Sequence, residues 1–94
     1  MASATGTSPE HFDVITVFGA DWCPDCRRAK AVLDAAGATY DYIDLGDQED
    51  APARAEAISG QRHIPVVVFP DDVFYVEPTN TELGLKLAAL GLAA

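Results

Sequence analysis

Cys23 and Cys26 are the only cysteines of the chain, and two residues separate them in the segment DWCPDC, residues 21–26. A pair at this spacing can carry out thiol–disulfide exchange, in which one thiolate attacks a disulfide and the second attacks the resulting mixed disulfide. A structural zinc site needs four ligands, and His11 and His63 do not have finger-like spacing. A structural disulfide across so short a loop would gain little entropy. We therefore interpret the pair as a redox site, with metal binding and an inert pair as weaker alternatives.

The elements on either side of the pair predict where its sulfur atoms lie. Residues 14–18 (VITVF) are apolar and β-branched and predict a buried strand. Residues 27–36 are rich in alanine and leucine, end before Gly37 and predict a helix. The free N–H groups and partial positive charge of a helix N-terminus favour a thiolate. We expect Cys23 to be the solvent-open nucleophile, and Cys26, one turn further on, to be the covered, resolving thiol.

The remaining elements complete a single α/β domain. Strand patterns cover residues 39–44, 66–69 and 73–76, and helix patterns cover residues 51–59 and 80–90. Thr79 and Glu82 have the spacing of a capping box before the last helix. The predicted order is β-α-β-α-β-β-α, with one four-stranded mixed sheet flanked by helices. The predicted domain covers residues 12–94, and residues 1–11 are expected to form a disordered tail.

Composition excludes several classes of function. The chain has 94 residues and a formal net charge of −9, whereas nucleic acids and anionic membrane surfaces attract basic proteins. Its N-terminus lacks the features of a secretory signal, and no segment has the length of a membrane helix. We therefore expect a cytoplasmic protein that binds neither nucleic acid nor membrane. In that reducing compartment, a lone Cys-x-x-Cys pair is more often catalytic than structural.

The element order, the WCPDC segment after the first strand and the segment GQRHIP, residues 60–65, together resemble the thioredoxin superfamily. Within it, residues 13–91 are similar to glutaredoxins, and especially to the actinobacterial mycoredoxins. Val17 stands where thioredoxins usually have a buried aspartate, which favours the glutaredoxin branch. The resemblance implies a thioredoxin fold and a thiol–disulfide oxidoreductase. It also implies a monomer without bound cofactor or metal, which takes mycothiol or glutathione as co-substrate and acts on disulfide-containing proteins.

The resemblance also implies roles for residues around the cysteines. The peptide bond before Pro65 would be cis, which lets the backbone of Ile64 pair with the bound thiol. Independently of the resemblance, Pro24 and Asp25 are expected to tune the site: Pro24 lacks an N–H that could stabilise the sulfur, and the charge of Asp25 lies between the two sulfurs in sequence and disfavours a thiolate. The residues expected to bind the thiol substrate are Trp22, Gln61, Arg62, Ile64, Pro65, Thr79 and Asn80.

The chain departs from the family pattern in two places that concern glutathione. Ala20 replaces a lysine that meets a glutathione carboxylate in many members, and residues 76–81 (VEPTNT) lack the Gly-Gly-x-Asp-type turn. The segment PTN is closer to the polar segment of mycoredoxins. Two alternatives stay open: an electron donor coupled to thioredoxin reductase, like the ribonucleotide-reductase donors, and an iron–sulfur or metal carrier. Pro24 speaks against the carrier, because cluster-binding members usually have a small residue there.

Overall fold

The structure is a computed structural model that describes residues 4–92. The strands in this range are Ala4–Thr7 (β1), Ile15–Gly19 (β2), Tyr40–Asp44 (β3), Val66–Val68 (β4) and Val73–Val76 (β5). The helices are Pro24–Ala35 (α1), Ala51–Ser59 (α2) and Asn80–Leu90 (α3). From residue 15 onward, the predicted order β-α-β-α-β-β-α is confirmed.

The strands form one mixed sheet in the order β1-β5-β4-β2-β3. β2 and β3 are parallel, as the α1 crossover between them requires, whereas β4 pairs antiparallel with both β2 and β5. The carboxyl end of β2 runs through Gly19 and Ala20 into the cysteine segment. The central strand β2 therefore fixes the position of the N-terminus of α1.

The sheet has five strands where the sequence predicted four, because β1 pairs antiparallel with β5. The prediction of a disordered tail was wrong for residues 4–7, and the following residues are also held. The Ser8 backbone N–H donates to the carbonyl of Asp72 at 2.6 Å, and the Glu10 carboxylate binds Arg54 at 2.6 Å. Without β1, the N–H and C=O groups along the outer edge of β5 would lack partners. Residues 1–3 of the predicted tail and residues 93–94 lie outside the described range.

The core is divided by the sheet into two layers. On one face, apolar side chains of α1 and α3, including Leu33 and Leu83, pack against alternate residues of the central strands. On the other face, Ala55 and Ile58 of α2 pack against the residues in between. β2 and β4 are buried on both faces, which explains their continuous apolar sequences. No helix between residues 4 and 92 has the length and apolar character needed to cross a membrane.

Candidate active site

Cys23 is the N-cap residue of α1, and its sulfur takes the place of a capping oxygen. Its backbone is extended (φ −90°, ψ 114°), and its Sγ accepts a hydrogen bond from the backbone N–H of Cys26 at 3.3 Å. Pro24 occupies the first turn, where its missing N–H breaks no helical hydrogen bond. The Cys23 sulfur therefore lies at the positive end of the helix macrodipole and accepts one of the N–H groups that have no backbone partner within α1.

Cys23 is more covered than the sequence suggested. The residue is only 7 % exposed, so the prediction of a solvent-open sulfur was wrong in degree. The cause is its packing with Ala20 and Cys26 in a small apolar cluster, against which Ile64 is also packed. Trp22, directly before Cys23, is in contrast 76 % exposed. Of the two cysteines, Cys23 keeps the only surface contact with solvent.

Cys26 lies one turn further along α1 and is completely buried. Both cysteines are free thiols. Burial, followed by hydrogen bonding to Cys23, raises the pKa of the Cys26 thiol to about 12. The two thiols thus have different environments, one at the surface end of the helix and one in the apolar interior, and Cys26 is the more covered of the two, as the sequence predicted.

The segment before β4 reaches the cysteines from the other side. The Ile64–Pro65 peptide bond is cis, as the resemblance implied. The side chain of Ile64 packs against the apolar cluster of Ala20, Cys23 and Cys26, while Pro65 is buried. The Pro65 carbonyl accepts a hydrogen bond from the backbone N–H of Glu77 at 2.9 Å, which joins this segment to the β5–α3 loop.

A shallow groove of about 450 Å³ runs beside the N-terminus of α1 towards α3, and we call it the α3-side groove. Its lining residues are Asp25, Arg28, Glu77, Thr79 and Asn80. The structure thereby brings three of the predicted site residues, Asp25, Thr79 and Asn80, into one surface. Thr79 is also the N-cap of α3 and forms the predicted capping box with Glu82.

Arg28 organises this groove, and sequence reasoning did not assign it a role there. Its guanidinium donates to the Asp25 carboxylate at 3.1 Å, to the Asn80 side-chain carbonyl at 2.5 Å and to the Pro78 carbonyl at 2.7 Å. The only sequence signal was the i, i+3 spacing of Asp25 and Arg28 on a helix. Pro78, in the β5–α3 loop, and Asn80, the first residue of α3, are 50 and 52 positions away, so no local pattern could reveal them.

Gln61 and Arg62 lie in a second groove, of about 380 Å³, which we call the α2-side groove. The other residues along it are Leu45, Pro52, Ala53, Ala55, Glu56, His63 and Ile64. The Arg62 side chain is 89 % exposed and lies 3.6 Å from the carboxylate of Glu56. The structure therefore does not place Gln61 and Arg62 in one groove with Thr79 and Asn80. Ile64 both lines the α2-side groove and packs against the cysteines, so it connects this groove with Cys23 and Cys26.

His63 and Glu77 form a contact that crosses from the loop before β4 to the loop after β5. The His63 Nδ1 atom lies 3.4 Å from a Glu77 carboxylate oxygen. Glu77 adopts a left-handed backbone conformation (φ 50°), which is uncommon for a residue other than glycine. This conformation belongs to the turn that leads from β5 into α3. Across residues 4–92, no three side chains of His, Cys, Asp or Glu come together as metal ligands.

The chain is similar to known proteins in sequence and in fold. The sequence profile of the glutaredoxin family matches residues 15–74. Mycoredoxin 1 from Corynebacterium glutamicum is 34% identical over 77 residues, which cover 81% of this chain and 95% of that protein. A glutaredoxin from Neisseria meningitidis is 35% identical over 54 residues, covering 56% of this chain and 64% of the relative. The structure of the buckwheat glutaredoxin–glutathione complex superimposes with a TM-score of 0.67 at 27% identity, covering 85% of this chain and 81% of that one.

Proposed function

The chain belongs to the glutaredoxin family, whose members are thiol–disulfide oxidoreductases with a thioredoxin fold, and from this premise we propose that it reduces mixed disulfides and protein disulfides with electrons from a low-molecular-weight thiol. One observation carries the proposal: the Cys23 sulfur caps α1 and accepts the Cys26 backbone N–H, with the Cys26 thiol one turn behind it. The sulfur proposed to attack is thereby held at the surface end of α1, and a second thiol lies within one helical turn of it.

The proposed reaction begins at Cys23. Its thiolate attacks a substrate disulfide, a Cys23–substrate disulfide forms, and the other half of the substrate leaves as a thiolate that takes up a proton. In the monothiol route, a low-molecular-weight thiol then attacks the mixed disulfide. In the dithiol route, Cys26 attacks Cys23, so that an internal disulfide forms and is later reduced by two such thiols. Trp22, which is 76 % exposed beside Cys23, offers a flat surface for the substrate.

The charges of the α3-side groove favour a low-molecular-weight thiol that carries no carboxylate groups. The groove carries two carboxylates, Asp25 and Glu77, and one guanidinium, that of Arg28. Arg28 already uses three of its five N–H donors on Asp25, Asn80 and the backbone of Pro78, so little of its charge and hydrogen-bonding capacity is left for a substrate carboxylate. Ala20 supplies no cation either. Glutathione carries two carboxylates, whereas mycothiol is built on a sugar and carries no carboxylate. We therefore favour mycothiol as the co-substrate, with Thr79 and Asn80 as hydrogen-bonding partners.

The remaining predicted site residues would have the following roles in this reaction. Ile64 and Pro65 would align the backbone of the bound thiol beside Cys23, and Gln61 and Arg62 would contact its far end from the α2-side groove. Pro24 and Asp25 would tune the helix N-terminus. A monomer in the cytoplasm is the predicted working form.

Mixed-disulfide formation tests the proposal directly. Reduced Cys26→Ser protein would be incubated with mycothiol disulfide or with glutathione disulfide and examined by mass spectrometry. We expect one mycothiol adduct per chain, faster formation with mycothiol than with glutathione, and none in Cys23→Ser. Turnover would then be compared with NADPH oxidation through mycothiol, glutathione and thioredoxin reductase systems. Coupling only to thioredoxin reductase would replace the proposal with the donor alternative, and no adduct with either thiol would overturn it.

A substitution in the groove tests the choice of thiol. Glu77→Gln removes one of the two carboxylates and should increase the rate with glutathione disulfide about two- to fivefold relative to mycothiol disulfide. Asp41→Asn is the matched control, because Asp41 is an exposed acid on the edge strand β3 outside both grooves. Equal changes in both variants would show that overall charge, and not the groove, sets the preference.

A further inference from the structure

In the dithiol route, the Cys26 thiol must lose its proton before its sulfur can attack, and it holds this proton tightly. Cys26 is completely buried, and the pKa of its thiol is raised to about 12, chiefly by burial. At neutral pH, very few molecules therefore carry a Cys26 thiolate. A hydrogen-bond donor close to this sulfur would increase the thiolate fraction and with it the rate of the resolving step.

The side chain of Tyr42, on β3, brings a hydroxyl group close to this sulfur. Its hydroxyl and the Cys26 sulfur converge on the space above Gly19: a Cβ atom built on Gly19 would lie 2.6 Å from the Tyr42 hydroxyl and 3.1 Å from the Cys26 Sγ. The missing side chain of Gly19 is therefore what allows the phenol to extend over β2 towards α1. Within the described part of the chain, the Tyr42 hydroxyl makes no hydrogen bond, so it is available as a donor.

The surroundings of Tyr42 keep its hydroxyl protonated. Burial raises the pKa of this phenol, and negative charge on Cys26, Asp21, Asp44 and Cys23 raises it further. The Lys30 ammonium lies 4.6 Å from the centre of the ring and holds it by a cation–π contact. The Asp44 carboxylate accepts the backbone N–H groups of Asp21 and Gly46 and is thus already occupied. The Tyr42 side chain near the Cys26 sulfur is therefore a neutral phenol and not a phenolate.

We propose that Tyr42 assists the resolving step of the dithiol route by donating a hydrogen bond from its hydroxyl to the Cys26 thiolate. The inference rests on the proposed thiol–disulfide exchange. In this step, the Cys26 proton passes to solvent, the Cys26 sulfur bonds to the Cys23 sulfur, and the bond between Cys23 and the substrate sulfur breaks. The departing thiolate takes up a proton, so that the substrate half is reduced and the two cysteines are oxidised. Gly19 is the position that makes room for this contact.

A chromogenic aromatic disulfide, Ellman's reagent, separates the two steps in one absorbance trace. Attack by Cys23 releases the first equivalent of the coloured thiolate, and attack by Cys26 on the mixed disulfide releases the second. We expect Tyr42→Phe to slow the second phase about tenfold and to leave the first phase unchanged. The matched control is Tyr40→Phe. It removes a hydroxyl group of the same strand, but this hydroxyl donates to Asp34 and is not part of the proposed contact. This control should leave both phases unchanged.

The remaining outcomes are also decisive. Cys26→Ser should show the first phase only, which assigns the second phase to Cys26. An unchanged second phase in Tyr42→Phe overturns the inference, and so does equal slowing of both phases, since a general disturbance of the fold would act on both. Absence of a second phase in the unaltered protein would likewise overturn it. Ellman's reagent replaces the natural substrate in this experiment. If the protein did not react with mycothiol disulfide, the proposed co-substrate would be wrong, but the result for Tyr42 would be unaffected.

Discussion

The two sulfur atoms are chemically identical, and the protein distinguishes them by position along one turn of α1. Cys23 is 7 % exposed and lies at the N-terminus of α1, where backbone N–H groups have no backbone partner within the helix. Cys26 is completely buried and lies among apolar side chains. The spacing of the two residues sets this difference, because three positions along a helix correspond to nearly one turn. Geometry alone thus gives the two thiols different exposure and surroundings.

The buried Cys26 thiol should make stability fall at alkaline pH. The folded protein holds this proton up to about pH 12, whereas an unfolded chain releases it near pH 9.0. Between these values the unfolded state binds fewer protons, so the free energy of unfolding decreases, at about 1.4 kcal/mol per pH unit. Denaturant unfolding under reducing conditions at about pH 7 and about pH 10.5 measures the loss.

Cys26→Ala is the control for this prediction. Tyr40 and Tyr42 also have raised pKa values, and their contribution in the same pH range remains in the variant. The decrease should therefore be smaller in Cys26→Ala than in the unaltered protein. Identical pH dependence in the two proteins would contradict a proton held by Cys26.

Asp25 offers a second test at the scale of one residue. Its negative charge lies within the first turn of α1, beside the position of the Cys23 thiolate, and is partly balanced by Arg28 at 3.1 Å. Asp25→Asn removes the repulsion and should speed alkylation of Cys23 by iodoacetamide at about pH 6, roughly two- to fivefold. Measurements in a Cys26→Ser background isolate the reaction. A slower reaction would show that the Asp25–Arg28 pair supports the thiolate instead.

The residues that could be predicted at this scale were those close together in sequence. The cysteine pair, Pro24 in the first turn and the Thr79–Glu82 capping box all depend on spacings within one helix. Contacts between distant segments, such as Arg28 with Asn80, and the approach of Tyr42 to Cys26, follow from the packing of α1 against other elements. Periodicity carries no information on such pairs, which is why the sequence did not reveal them.

Among the elements, α3 has the most complete local signal, and its ends agree with the sequence. Thr79 accepts the N–H of Glu82 at 3.1 Å, and the Glu82 carboxylate accepts the N–H of Thr79 at 2.9 Å. Gly91 ends the helix in a left-handed conformation (φ 67°), for which glycine has no steric cost. Start and end are both determined by backbone hydrogen-bonding needs, and the prediction from sequence succeeded for that reason.

Loss of the cap should destabilise the protein measurably. Thr79→Ala leaves the Glu82 N–H without its side-chain partner and should lower the free energy of unfolding by about 1 kcal/mol. Thr81→Ala, in the same turn but exposed, should change it by less than about 0.5 kcal/mol. Equilibrium denaturation of both variants makes the comparison. If the two substitutions had the same effect, the cap would not be the stabilising contact.

β1 is the element that could not be predicted, for a physical reason. Residues 4–7 (ATGT) are small and polar, without the apolar alternation that marks a half-buried strand. They form a strand because they pair with the outer edge of β5. Gly6 allows this close approach, since a Cβ atom at that position would lie 2.9 Å from the Phe74 ring. A strand of this type is induced by its neighbour, and its own sequence contains little evidence of it.

At the scale of the whole molecule, residues 10–12 contact parts of the surface that are distant in sequence. Glu10 binds Arg54 of α2, and the ring of Phe12 stacks edge-on against Phe18 with centroids 6.0 Å apart. His11 contacts Asp72 at 2.6 Å in the β4–β5 turn. These contacts cover the α2 face of the sheet, and the residues of the candidate active site take no part in them.

Removal of residues 1–7 should therefore separate stability from chemistry. The shortened chain loses the β1–β5 ladder, and its free energy of unfolding should fall by about 1–3 kcal/mol. Alkylation of Cys23 should proceed at an unchanged rate at a temperature where both proteins are folded. Denaturation and alkylation measured on the same samples test both statements. A changed alkylation rate would reveal a link between β1 and the cysteines that the described contacts do not contain.

The exposure of Trp22 has a practical consequence. It is the only indole of the chain and is the residue immediately before Cys23. Sulfur atoms in a disulfide quench the fluorescence of a neighbouring indole, so emission should drop when the two cysteines join and return on reduction. Equilibration against redox buffers would then yield the midpoint potential by optical titration, with no label attached to the protein.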